Sequence, residues 1–135
     1  MTKQAWKFNH SVADQAEWAP GMRKIFDYRD LGIKDSTNGE YVAHVIRANG
    51  KNETDNVQQW HTHECEFQMI FVIKGWATFE YEGQGQHTIR EGDCVLQPPL
   101  IRHREVACSD DFEVLEIVNP GDFKTHLVDA PSGSE

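Results

Sequence analysis

The segment HTHECEFQ, residues 61 to 68, gathers two imidazoles, two carboxylates, a thiol and an amide. On a β-strand, residues two apart share a face. His61 and His63 can therefore offer both rings to one divalent ion such as Zn, Fe, Ni, Mn or Cu. The pair alone equally describes two solvent-facing histidines at a strand edge. Gln68 follows His63 by five positions, an odd separation. A continuous strand would turn it to the opposite face. It joins the histidines only if the chain bends or bulges around Glu64-Cys65-Glu66. Glu66 is a rival donor, nearer to His63 in the chain. A third imidazole, His103, lies four residues beyond Pro99. Turns at Gly92-Asp93 and Pro98-Pro99 can bring it back against the first cluster.

Other residues have chemistry in reach. His44 shares a strand face with Val42 and Ile46, where it is either a general acid or base or a hydrogen-bonded core histidine. Glu105 alternates with His103, so it faces the same cavity or, just as well, solvent. Cys65 has no base at a set spacing and reads as an inert thiol. Met69, Phe71, Trp76, Phe79 and Tyr81 can line a pocket or pack a core or an interface.

The elements that must position these groups read as strands. Tyr41–Ala48, Phe67–Ile73, Trp76–Tyr81, His87–Arg90, Cys94–Gln97, Ile101–Ala107 and Phe112–Val118 are apolar or alternating runs separated by turn residues. FQMIFVI is apolar at every second position in both phases except Gln68, which predicts a strand buried on both faces. Residues 1–24 read as an arm with little regular structure, around a Pro20-Gly21 turn. Residues 49–59 are a polar loop, Asn119-Pro120-Gly121-Asp122 ends the sheet region, and the tail PSGSE is expected to fray. No long helical period appears. The pattern is an all-β sandwich or barrel.

The chain of 135 residues suits one domain, and a chain that long can bury a real core. A net charge of −9 sets it against nucleic acid. No apolar run approaches the roughly 20 residues that span a bilayer. Three cysteines without a CxxC pair fit a reducing compartment. With no signal-like N-terminus, the expectation is a cytoplasmic protein.

HTHECEFQMIFVIKG resembles the first motif of the cupin superfamily, His-x-His, a spacer, usually Glu, then Gly. GDCVLQPPLIRH resembles the second, Gly, a spacer, Pro-x-Gly, two residues, His. The resemblance covers about residues 41 to 118. It departs in Gln68 for the usual Glu, Leu100 for the usual Gly, and Ala107 for a frequent Asn. It implies a jelly-roll barrel, the double-stranded β-helix, with little helix. It further implies one divalent transition metal per chain, held by His61, His63, Gln68 and His103, and a homodimer. Residues 1–40 are then an arm packed on the barrel or on a partner, 41–118 the barrel, and 119–135 a tail. The amide of Gln68 is neutral, so it leaves the ion its full charge and favours Lewis-acid work over redox work. The implied function is an isomerase-, cyclase- or tautomerase-like enzyme acting on a small oxygenated molecule. An iron-dependent dioxygenase and a non-catalytic binding or sensing module are the alternatives.

Overall fold

Short strands and frequent turns do build two antiparallel sheets. The computed structural model of the chain describes residues 6–20, 25–50 and 58–132. Gly21 of the expected turn, most of the 49–59 loop and the last tail residues lie outside the described residues. The strands are β1 (Ala19–Pro20), β2 (Phe26–Asp30), β3 (Val42–Ala48), β4 (His61–Glu64), β5 (Phe67–Lys74), β6 (Trp76–Tyr81), β7 (Gly85–Arg90), β8 (Cys94–Leu96), β9 (His103–Cys108), β10 (Glu113–Asn119) and β11 (Lys124–Leu127). Among the described residues, helix is confined to α1 (Ile33–Ser36) and a 3-10 turn at Ala13–Gln15. One sheet runs β1-β2-β3-β10-β5-β8 and the other β11-β4-β9-β6-β7. Ile46, Ile70, Val72 and Val114 from the first sheet meet Ala77, Phe79, Tyr81 and Ile89 from the second in one buried core. This is the jelly-roll arrangement.

Three features differ from the reading of the sequence. β5 is not buried on both faces: Ile70 and Val72 are inside, but Phe71 and Ile73 are each 40% exposed. Apolarity on both faces predicts cover on both, and only the inner face has it in this chain. The sheet region does not end at Asn119. Residues Lys124–Leu127 return as β11 and pair along β4, with Thr125 opposite His63. KTHL carries no apolar alternation, so only the pairing with β4 defines it. β2, which no pattern announced, pairs with β3 and puts Phe26 and Tyr28 beside Ala48 and Ile46.

The start of the chain is tied down by single contacts rather than by regular structure. Lys7 N–H donates to the Ser36 carbonyl. The Asn9 amide donates to the Leu31 carbonyl. The Arg47 guanidinium lies 3.8 Å over the Trp18 ring.

Candidate metal centre

β4 and β5 are consecutive in the chain but belong to different sheets. The break at Cys65-Glu66 carries the chain across the sandwich. The inward face of β4 then looks toward the inward face of β5. This resolves the odd spacing between His63 and Gln68: a sheet switch, not a bulge within a strand, brings both inside. Gln68 is 2% exposed, whereas Glu66 is exposed. Glu66 is therefore set outside the cavity, and the amide is inside.

His103 opens β9 and pairs directly with His61. Its approach is set by Leu100, which adopts a left-handed φ of 64°. The Leu100 N–H donates to the His63 carbonyl, at 3.2 Å. His61, His63 and His103 are all buried, and one ligand atom from each lies within 4.8 Å of the others. Every ring is anchored through Nδ1. His61 meets the Gln59 carbonyl at 2.7 Å and His103 the Ile101 carbonyl at 3.0 Å. His63 meets Thr125 Oγ1 at 2.9 Å. A carbonyl oxygen only accepts, so Nδ1 of His61 and His103 carries the proton. Nε2 is then the nitrogen that can take a metal, which is the usual tautomer of a metal-ligating histidine. Burial, convergence and tautomer together fit a divalent ion.

The histidines line a cavity of about 280 Å³. Gln68, His44, Glu105 and Glu116 also line it, with Phe26, Ile46, Phe79 and Phe112 as apolar wall. Glu116, a residue that sequence reasoning passed over, joins two of these lining residues. Glu116 lies in register with His44 on β3. His44 Nε2 sits 2.6 Å from its Oε1. The Gln68 amide nitrogen donates to its Oε2 at 2.7 Å. Burial alone would raise the Glu116 pKa. The hydrogen bond and charge of His44, the charge of His63 and the Gln68 amide outweigh it and hold the carboxyl at about 2. A signal existed: Glu116 interrupts the inward series Val114, Glu116, Val118 of a strand whose other inward residues are apolar.

Glu105 is 2% exposed and inward, as its alternation with His103 suggests. Tyr81 stacks on His103 at 5.6 Å and its hydroxyl accepts from the Gln97 amide at 2.8 Å. Burial keeps the Tyr81 pKa well above its ordinary value. Cys65 is half-buried, and burial and then the Glu116 charge push its pKa up, which suits an unreactive thiol. His87 and His126 sit at exposed positions away from the cavity, His126 against Glu64.

The cupin domain family (Cupin_2) matches residues 52–124. No curated protein sequence matches significantly. KdgF from Halomonas sp. superposes with a TM-score of 0.63 at 21% identity, over 84% of this chain and 94% of that one. The polyketide cyclase RemF from Streptomyces resistomycificus gives 0.69 at 14% identity, over 93% and 89%. A sugar phosphate isomerase of the cupin superfamily from Silicibacter pomeroyi gives 0.66 at 17%, over 90% and 82%. At these identities the likeness is one of fold.

Proposed function

The chain belongs to the cupin domain family, and from that premise we propose that it is an enzyme using one divalent metal as a Lewis acid on a small oxygenated organic molecule. The observation that carries this reading is the trio of buried histidines, each anchored at Nδ1 and converging on one point. In it, His61, His63, His103 and the Gln68 carbonyl hold the ion. When bound, the metal supplies electrophilic polarisation of a substrate oxygen.

The rest is done by the chain's own residues. With Nε2–H donated to Glu116, His44 has Nδ1 as its basic nitrogen. It takes a proton there from a carbon or oxygen of the substrate, and the Glu116 carboxylate steadies the resulting imidazolium. Glu105 is a second carboxyl at the cavity wall, able to take or return a proton at its carboxylate oxygen. Phe26, Ile46, Phe79 and Phe112 cover the carbon skeleton and exclude water. A metal, a base and an apolar wall, with a neutral ligand in place of the usual carboxylate, suit isomerisation, cyclisation or tautomerisation. Two of the similar folds carry the names cyclase and isomerase, which is support by analogy.

The assembly in this reading is a homodimer formed through the outer face of the six-stranded sheet. Phe71 and Ile73 on β5 and Leu96 on β8 are exposed there; Phe71 pairs with Leu115 of β10, and Met69 pairs with both Leu96 and Ile117. Three free cysteines fit a cytoplasmic setting.

The test begins with elemental analysis of the purified protein. Small hydroxy-ketones and β-dicarbonyls are then incubated with it in D₂O without oxygen and followed by NMR. One metal per chain and enzyme-dependent C–H exchange are expected. Absence of metal under every loading condition sinks the reading. Turnover only with iron and dissolved oxygen replaces it with the dioxygenase.

A further inference from the structure

Among the described residues, Glu116 is the carboxylate in hydrogen-bond contact with Gln68, and both of its oxygens are engaged. The Gln68 amide nitrogen stands 2.7 Å from its Oε2 and His44 Nε2 stands 2.6 Å from its Oε1. The limb of the Gln68 amide that faces it must be the NH₂, because a carbonyl there would set two oxygens against each other with no proton between them. An amide has one other limb. With its nitrogen spent on Glu116, the carbonyl oxygen is what Gln68 has to give the cavity. The same logic fixes His44, whose Nε2 must carry the proton it donates.

We propose that Glu116 is the positioning residue of the metal site: it orients the Gln68 carbonyl toward the histidines and stations the site's negative charge one hydrogen bond behind the ligand. This rests on the metal reading above and deepens it. The departure from the family's usual carboxylate ligand is then a relocation of charge, from position 68 to position 116. A neutral oxygen meets the ion directly, while a carboxylate behind it polarises the amide and raises the donor strength of that oxygen.

The experiment is a titration with Co²⁺ of the wild type and of Glu116→Gln, Gln68→Glu and the exchange Gln68→Glu/Glu116→Gln, followed by visible absorption with folding checked by circular dichroism. In Glu116→Gln an amide faces an amide and nothing fixes which limb Gln68 presents. Its affinity should fall about tenfold or more, as loss of a group orienting a ligand commonly does, with altered cobalt bands. In Gln68→Glu two carboxylates meet, and affinity should also depart from wild type. The exchange restores one carboxylate facing one amide donor, and should bind closer to wild type than either single variant. Wild-type affinity and bands in Glu116→Gln overturn the inference while leaving the metal site intact. So does an exchange variant no better than Gln68→Glu, which decides the matter even if Glu116→Gln does not fold. A wild type that binds no Co²⁺ overturns the metal reading itself.

Discussion

His44 and the three convergent histidines are the same residue type doing different work, and single substitutions separate them. Replacing His61, His63 or His103 with Ala removes a donor from a three-imidazole set, so bound metal per chain should drop sharply in each. Full occupancy in all three, by elemental analysis, would mean that the cluster is not a metal site. His44 is tied to Glu116 and not to the metal-facing nitrogens. His44→Gln should keep its metal while proton exchange slows by about 10²–10⁴, the usual worth of a general acid or base. Loss of metal in that variant would make His44 a structural residue. The trio was legible in the sequence because the spacing of two residues and the turn residues before His103 each carry a geometric meaning. Gln68 was legible only as a question, since its odd spacing needed a bend whose form the sequence does not display. Glu116 is marked locally only by its break in the apolar series Val114, Glu116, Val118, and its role is hidden because its partners, His44 and Gln68, lie on two other strands. Distances of 72 and 48 residues along the chain leave no local pattern that names those partners.

Two elements that hold the site have side chains open to test. β11 was invisible in the sequence because KTHL has no apolar alternation, and pairing with β4 supplies its hydrogen bonds. Its Thr125 hydroxyl anchors His63. Thr125→Val keeps the shape and removes that bond, so metal affinity should fall about tenfold while the fold is kept, in line with other groups that orient a ligating histidine. An unchanged affinity in the same Co²⁺ titration would show that β11 does not serve the site. The turn before β9 is the second case. The family resemblance marked Leu100 as standing where glycine is usual, and the backbone there is left-handed at φ 64°. That conformation costs a non-glycine residue about 1–2 kcal/mol. Leu100→Gly relieves it, at some cost from a freer unfolded chain. Because Leu100 is 58% exposed, little packing is lost, and a net gain of roughly 0.5–1 kcal/mol is expected. A lowered melting temperature would mean that the leucine side chain packs on something beyond its own chain.

A second copy of the chain is the occupant that would explain the outer face of the six-stranded sheet. The strand FQMIFVI is apolar on both faces, yet one chain covers only one of them. Leu96 at 61% exposure, Phe71 and Ile73 stand on neighbouring strands β8 and β5, and apolar side chains grouped in this way are what a second copy would cover. A face that meets its own copy about a two-fold axis must be self-complementary, which an apolar patch without strong charge satisfies. Phe71→Glu with Leu96→Lys places charges in its middle. The wild type should run as a dimer by light scattering and the double variant as a monomer, with sheet content unchanged by circular dichroism. Alkylation supplies an independent readout at the same place. Cys94 pairs with Phe71 and is exposed in the single chain. In a dimer it is covered, so iodoacetamide should modify it slowly in the wild type and quickly in the variant. Cys108 is an internal reference: burial, then the charges of Glu105 and Asp110, raise its pKa to about 12. At pH 8 only about one thiol in ten thousand is then the reactive thiolate, so it should stay slow in both proteins. A wild type that is monomeric, with Cys94 alkylated at the same rate as in the variant, would sink the second-copy assignment and leave the site inside each barrel untouched.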